Sequence, residues 1–179
     1  MRRVPQSYTI TRADATDVPA LIAVNVASDT LFADTGLIKP EDLGDHVPES
    51  VFQDAIRARD VFVMRWGEVG TVVGFTLTSV RGGTLYLDQI SVHPDHGQKG
   101  LGRALMHRLL EDGRERGFKT LTLSTFKDVP WNGPFYRSLG FREIASEKLT
   151  DWMRDLEAAQ AENLDISKRC FMRKRLRWL

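Results

Sequence analysis

A glycine-rich segment between an apolar run and an amphipathic run has the composition of an anion-binding turn. Residues 91–105 read SVHPDHGQKGLGRAL, with Lys99 and Arg103 on either side of Gly100 and Gly102. The first N–H groups of a helix have no acceptor within the helix and carry a partial positive charge. A phosphate bound there gains hydrogen bonds and roughly 0.3–1 kcal/mol of dipole attraction. The segment therefore predicts a phosphate-binding loop.

The glycine spacing of this loop argues against the common nucleotide-binding patterns. A Walker loop has Gly-Lys followed by Ser or Thr, whereas Lys99 precedes Gly100 and no hydroxyl side chain follows to hold magnesium. A dinucleotide fingerprint, G-x-G-x-x-G, lies near the start of a parallel sheet, whereas this loop follows strands expected to be antiparallel. ATP and NAD are therefore not expected as ligands.

A second motif follows about thirty residues later and reads Asn132-Gly-Pro-Phe-Tyr-Arg-Ser-Leu-Gly-Phe141. Together with Val92-His-Pro94 and Gly100-Leu-Gly102, it resembles the GNAT superfamily of acyl-CoA-dependent N-acyltransferases. The pyrophosphate loop of that family has the form Arg/Gln-x-x-Gly-x-Gly/Ala after a strand ending in Val-x-Pro. The resemblance is dense from about Val61 to Phe141.

The loop departs from the family pattern at one place. The family usually has Arg or Gln at the first loop position, where this chain has Gly97, and Gln98 comes one step later. Because main-chain N–H groups hold the pyrophosphate, cofactor binding is expected to survive the change. Lys99 and Arg103 are expected to pair with the phosphates as cations, and the alternative is that both are solvated surface charges.

The resemblance implies acetyl-CoA as cosubstrate and a set of contacts for it. The pantetheine arm is expected to pair with the main chain of a strand around Ile90 to Val92, where two strands splay apart. Asn132 is carried over as a pantetheine contact and Phe135 as a wall beside it, and helix N-capping is the alternative role for Asn132. The expected cofactor-binding residues are Ile90, Ser91, Val92, Gln98, Lys99, Gly100, Leu101, Gly102, Arg103, Asn132 and Phe135.

Two side chains are candidates for the acid and the base of an acetyl transfer. Tyr136 occupies the family's general-acid position, and a tyrosine of ordinary pKa, about 10, has a proton to give to a departing thiolate at neutral pH. A protonated amine is unreactive, so something must accept its proton, and Asp88 is the first candidate, with Asp128 and His93 behind it. A packing tyrosine and a structural or substrate-binding carboxylate are the alternatives. Main-chain N–H groups at the end of the strand are expected to polarise the acetyl carbonyl.

The sequence is accordingly interpreted as an N-acetyltransferase in which acetyl-CoA and a primary amine bind together and the amine attacks the thioester directly. Cys170 lies in the last predicted strand, away from both motifs, so a cysteine acyl carrier is not expected. Two alternatives stay open: a non-catalytic acyl-CoA-binding or sensing module, and a transferase for a bulkier acyl-CoA. No metal is expected, since zinc-site spacing is missing from the histidines, His46, His93, His96 and His107.

The elements around the loop predict an α/β (α+β) fold. Three runs with a period of two, over 61–66, 71–80 and 84–92, predict an antiparallel meander, with Tyr86, Asp88 and Ile90 on one face. An amphipathic helix follows up to Gly117, and a strand over 119–125 returns parallel to the last strand of the meander. A GNAT-like mixed, mostly antiparallel sheet of about six or seven strands is expected, with a splayed parallel pair and flanking helices.

The flanking segments predict further elements in the same order as the family. Short apolar patterns predict a strand over 8–10, a helix through about Ala27, a helix over 51–59 and a short helix over 132–139. A strand is expected over 141–145, then a charged helix over 149–164 that either narrows the acceptor entrance or forms a dimer contact. The final strand carries apolar residues at even spacing and is expected to be an edge strand protected by its positive charge, rather than a nucleic-acid strip: Cys170, Met172, Leu176 and Trp178.

Composition limits the class of protein. The chain has 179 residues and a net charge of +1, which predicts a single domain over 1–179, best matched over 61–143, and gives no overall field toward nucleic acid or membranes. A single cysteine suits a reducing compartment, so the cytoplasm is expected, without export or a membrane anchor. The expected partner is a small-molecule or peptide amine. A cationic amine would suit the acidic residues of the loose segment over 30–47, although solvated loop charges are the simpler explanation.

Overall fold

The computed structural model describes residues 7–176, and within them seven strands form one mixed sheet in the order β1-β2-β3-β4-β5-β7-β6. The strands are β1 (Tyr8–Arg12), β2 (Val61–Trp66), β3 (Thr71–Arg81), β4 (Thr84–Val92), β5 (Thr120–Phe126), β6 (Arg142–Glu143) and β7 (Arg169–Arg175). The helices are α1 (Val18–Asp29), α2 (Glu49–Arg57), α3 (Leu101–Glu115), α4 (Gly133–Ser138) and α5 (Asp151–Gln160). The predicted fold class is confirmed.

Strand β4 is one member of the parallel strand pair that the sequence predicts. β1 pairs with β2 and β2 with β3 in antiparallel registers. β4 pairs in parallel with β5, with Leu85 opposite Leu121 and Leu87 opposite Leu123. The connection from β4 to β5 contains α3. Parallel neighbours need a crossover of about a dozen residues or more between them, and this segment provides it. The glycine loop therefore lies between β4 and α3, as predicted.

The chain folds as two compact units. The first comprises residues up to Ser79 together with Asp88–Glu111, and the second comprises Val80–Leu87 together with Asp112–Leu179. The first unit has two apolar clusters. One lies against α1 and α2 and contains Leu21, Val24, Phe52, Val63 and Phe75, and the other lies against α3 and contains Phe62, Met64, Val73, Leu101 and Leu105.

The second unit has its own cluster, in which α5 packs on the strands. Tyr86 meets the indole ring of Trp152 edge-on at 5.5 Å, and Trp152 meets Phe171 at 6.2 Å. Met153 completes the buried layer. The charged helix predicted over 149–164 thus packs on the sheet through its apolar face.

No helix among residues 7–176 combines the length and the apolar character needed to cross a bilayer.

The prediction that the last strand lies at the edge of the sheet is wrong. β7 pairs with β5 along its whole length, and its Arg173 and Met172 pair with Arg142 and Glu143 of β6 on the other side. The chain leaves the sheet after β6, forms α5 and returns between β5 and β6. The positive charge of β7 therefore does not protect an edge strand. Trp178, predicted in the same strand, lies outside the described residues.

The predicted shared face of Tyr86 and Ile90 is also wrong. Leu85 lies 3.2 Å from where a Cβ on Gly113 of α3 would be, and Ile90 packs against the apolar cluster to which Leu101 and Leu105 of the same helix belong. Residues 85 and 90 are an odd number of positions apart, so the alternation of β4 shifts between them. Tyr86 instead joins the α5 cluster. Such irregularities re-aim side chains and are common near active sites.

Candidate active site

The loop between β4 and α3 changes direction at two residues with left-handed backbone. A one-turn 3-10 helix, Pro94–His96, follows β4, and then Gln98 has φ 58° and Gly100 has φ 82°. Gly100 takes this conformation without a steric penalty. The same left-handed backbone at Gln98 costs about 1–3 kcal/mol, because its side chain crowds the main chain. Gly97, where the family usually has Arg or Gln, has an ordinary φ of −62°. The loop therefore holds strain at Gln98, and residues of this kind cluster at ligand sites.

The main chain at the start of α3 is open to a ligand. The first α-helical hydrogen bond runs from the N–H of Ala104 to the carbonyl of Gly100, at 3.0 Å. The N–H groups of Leu101 and Gly102 come before this bond and have no acceptor within the helix. No atom lies within 4 Å of where a Cβ on Gly100 would be. The backbone here fits the close approach of a pyrophosphate.

The side chains of the loop divide into exposed cations and core contacts. The ammonium of Lys99 donates to the carbonyl of Asp95 at 3.0 Å, and both Gln98 and Lys99 are exposed. Arg103 is half-buried on the first turn of α3. The side chain of Leu101 is only 1% exposed and belongs to the α3 cluster. Leu101 can therefore serve a ligand only through its main chain.

The end of β4 likewise offers backbone rather than side chains. Ser91 is buried, and its hydroxyl accepts hydrogen bonds from Gln89 and from Ser28 of α1, each at 3.0 Å. Ile90 and Val92 pack against the α3 cluster. The side chains of Ile90, Ser91 and Val92 are therefore engaged within the protein, and the main-chain groups of this segment remain available to contact a cofactor.

Helix α4 carries the proposed acid in a buried position. Tyr136 is 5% exposed, with its ring edge-on to Phe135 at 5.2 Å and to Phe141 at 5.7 Å. Burial raises the pKa of the Tyr136 phenol well above its usual value, and the nearby Arg169 guanidinium acts in the opposite direction. The phenol therefore keeps its proton at neutral pH and is available as a donor.

Asn132 stands just before α4 with one amide atom satisfied and the other not. Its Nδ2 donates to Thr125 Oγ1 of β5 at 2.9 Å, while its Oδ1 is buried and has no hydrogen-bond partner among residues 7–176. Asn132 is the N-cap residue of α4, as the alternative expectation has it, but its side chain makes no capping bond to the helix. A buried acceptor without a donor is costly. Oδ1 therefore fits the amide N–H of a pantetheine arm.

Gly133 positions the start of α4, a role that was not predicted from the sequence. A Cβ on Gly133 would overlap the carbonyl oxygen of Lys127 and lie 2.8 Å from the carbonyl carbon. Only a glycine lets the first turn of α4 come this close to the segment after β5. The glycine was visible in the second motif, but its contact partner, six residues earlier, left no sequence signal.

The model of the Acetyltransferase (GNAT) family matches residues 29–141. The chain belongs to the GNAT acetyltransferase family. The resemblance inferred from the two motifs is thereby confirmed.

Two curated acetyltransferases are similar in sequence to this chain. Mycothiol acetyltransferase of Clavibacter sepedonicus is 29% identical over 146 residues, which cover 80% of this chain and 46% of that protein. The Escherichia coli K12 ribosomal protein bS18-alanine N-acetyltransferase is 36% identical over 74 residues, 41% of this chain and 50% of that protein. The chain thus spans about half the length of the curated relatives it matches.

The fold is also similar to that of a GNAT protein solved with CoA. The structure of the PaiA N-acetyltransferase from Thermoplasma acidophilum in complex with coenzyme A superposes with a TM-score of 0.72 and 17% identity. The match covers 95% of this chain and 99% of that chain. At this identity the likeness shows a shared fold.

The candidate bases of this GNAT chain lie in different surroundings. Asp88 is half-buried on β4, whereas Asp128 is exposed in the turn after β5. His93 Nδ1 accepts the N–H of Asp95 at 3.3 Å and so caps the turn before the loop. Asp88 remains the first candidate because the other two have a local structural role or full solvent exposure. Within residues 7–176, no three His, Cys, Asp or Glu side chains are grouped as metal ligands.

Substitution of Gly100 tests the role of the loop. Gly100→Ala is expected to raise the KM for acetyl-CoA roughly tenfold and to leave kcat nearly unchanged, because a Cβ at this φ costs about 1–2 kcal/mol and turns the N–H groups. Gly67→Ala, in the β2–β3 turn with φ 71° and open space, is the matched control. Steady-state kinetics on both variants measure the KM for acetyl-CoA and kcat. An equal rise of KM in both would mean a general loss of stability.

Proposed function

We propose that this chain is an N-acetyltransferase that moves the acetyl group of acetyl-CoA to a primary amine by direct attack in a ternary complex. The observation that carries the proposal is the start of α4, where the buried Asn132 Oδ1 has no donor among the described residues and the buried Tyr136 keeps its proton. Bound acetyl-CoA supplies an activated acyl thioester. Membership of the GNAT family supports the assignment.

The proton balance of the transfer assigns a role to each side chain. The amine nitrogen forms its bond to the acetyl carbon as the carbon–sulfur bond breaks. Asp88 accepts the proton of the amine, directly or through a water, and Tyr136 gives its proton to the departing thiolate. Exchange with solvent restores both groups for the next turnover.

The main chain supplies the remaining contacts. The N–H groups from Gln98 to Gly102 hold the pyrophosphate, with Lys99 and Arg103 as cations beside it. The backbone of Ile90 to Val92 pairs with the pantetheine arm, and Phe135 lies beside that arm. N–H groups at the end of β4 polarise the acetyl carbonyl, which is a large effect when the donors are fixed in place.

Direct transfer predicts that the chain's single cysteine is dispensable. Burial raises the pKa of the Cys170 thiol to about 11, so little thiolate, the reactive form, exists at neutral pH. Cys170→Ala is expected to keep kcat within about twofold. Release of CoA thiol and intact-mass analysis after incubation with acetyl-CoA alone are the measurements. Loss of turnover in a folded variant, or an acetyl adduct on Cys170, would overturn direct transfer.

A panel of amines tests the proposed function against the two alternatives. The folded protein is incubated with acetyl-CoA and with small amines, amino acids or short peptides, and release of CoA is followed. Acetylated product with at least one amine is the expected result. Tight binding of acetyl-CoA without turnover of any amine would favour a sensing module, and turnover only with longer acyl-CoAs would favour the bulkier donor.

A further inference from the structure

The first residue of β7 is an arginine held in a fixed position by uncharged groups. Arg169 is half-buried, and its guanidinium lies over the ring of Phe126 at 4.6 Å. Its Nε donates to Gln160 Oε1 at 3.2 Å and its Nη2 donates to Ser124 Oγ at 3.2 Å. Ser124 in turn donates to Gln160 Oε1 at 3.0 Å. Side chains of β5 and α5 thus hold the guanidinium of Arg169, at the start of β7, in one position.

The charge of Arg169 has no counter-ion in residues 7–176. Its protein partners are a hydroxyl, an amide oxygen and a ring, all of them neutral. By contrast, the half-buried Arg65 forms an ion pair with Asp17 at 2.8 Å. Because an uncompensated cation is expensive to take out of water, a fixed one without an anion among the described residues points to an anionic ligand.

Arg169 has hydrogen-bond donors left for an anion with two oxygens. A guanidinium has five N–H donors, and only two of those of Arg169 are used by Gln160 and Ser124. The Nη1 group makes no hydrogen bond within the described residues. The planar fork matches a carboxylate, which it can bind through two parallel hydrogen bonds.

Arg169 lies at the same end of β5 as the helix of the proposed acid. It pairs with Phe126 of β5, while the neighbouring Thr125 receives the hydrogen bond of Asn132 at the start of α4. Arg169 and the phenol of Tyr136 are close enough to interact electrostatically, each acting on the pKa of the other. An anion on Arg169 would therefore stand near the group that protonates the thiolate.

We propose that Arg169 binds a carboxylate of the amine acceptor, so that the acceptors of this protein are amines that carry a carboxylate, free amino acids among them. The inference rests on the proposed acetyl transfer and names its substrate class. Ser124, Gln160 and Phe126 are positioning residues that hold the guanidinium for this contact.

Matched acceptors and variants test the proposal by binding. Protein saturated with CoA is titrated calorimetrically with individual L-amino acids and with their α-amides, in which a neutral amide replaces the carboxylate. Wild type is expected to bind at least one acid about tenfold or more tightly than its amide, and Arg169→Gln is expected to lose that preference. Arg169→Lys should restore part of it, as a point charge without the fork. Arg173→Gln, an exposed arginine of the same strand, should leave the preference unchanged.

Two outcomes would overturn the inference. One is wild-type protein that binds acids and amides equally, and the other is Arg169→Gln protein that loses both to the same extent at unchanged melting temperature. Failure of the proposed function is a different result, namely no release of CoA from acetyl-CoA with any amine. The calorimetric comparison does not depend on turnover, so the two failures are told apart.

Discussion

Tyr136→Phe is expected to lower kcat for acetyl transfer by about 10²–10⁴-fold, the usual contribution of a general acid. The substitution removes one hydroxyl and keeps the ring contacts with Phe135 and Phe141. The KM for acetyl-CoA and the melting temperature should therefore change little. Steady-state kinetics with saturating amine, together with a thermal melt, give both readouts.

The pH dependence of Tyr136 follows from its burial. Because burial raises the pKa of the phenol, the active protonated form persists to higher pH than for an exposed tyrosine, whose pKa is about 10. The wild-type rate should therefore not fall through loss of this proton between pH 7 and about 10. A Phe variant that folds and retains wild-type kcat across this range would show that Tyr136 only packs α4.

Gly133→Ala is expected to be the most damaging glycine substitution near the second motif. The added Cβ overlaps the Lys127 carbonyl, so the backbone of one segment must move, at a cost of about 1–3 kcal/mol or more. The movement displaces Asn132 and Tyr136, which flank the first turn of α4. A misplacement of about 1 Å can cost roughly 10²-fold in rate. We therefore expect a loss of kcat/KM of that order with a lower melting temperature.

Pro134→Ala provides the control for this prediction. Pro134 is the next residue of α4 and is exposed, so its truncation leaves the contact with Lys127 intact. Activity of this variant should stay close to that of wild type. Equal activities and melting temperatures for Gly133→Ala and wild type would show that the close approach of α4 to Lys127 does not position the site.

Local patterns in the sequence predict the elements of this fold well. The three period-two runs and the amphipathic pattern before Gly117 correspond to β2, β3, β4 and α3, because each pattern reports the buried face of one element. The parallel return of β5 also follows, since a helix between two strands usually makes a right-handed parallel crossover. The loop and the Tyr136 motif are short and local, which is why they identify the family.

The features that the sequence did not predict depend on distant segments. The position of β7 between β5 and β6 reflects strand order, which no local pattern encodes. The alternation shift in β4 depends on how residues 85 and 90 each meet α3. Arg169 owes its fixed position to Ser124 and Gln160, 45 and 9 residues away in sequence. Such groupings appear only in three dimensions.

The initial-velocity pattern of the two-substrate reaction tests direct acetyl transfer most directly. Acetyl-CoA and an accepted amine are varied together, CoA release is recorded, and the acetylated amine is identified by mass. Direct transfer predicts intersecting double-reciprocal lines, as for a ternary complex, with one acetylated amine formed for each CoA. Parallel lines, the pattern of a covalent acyl-enzyme, would contradict it.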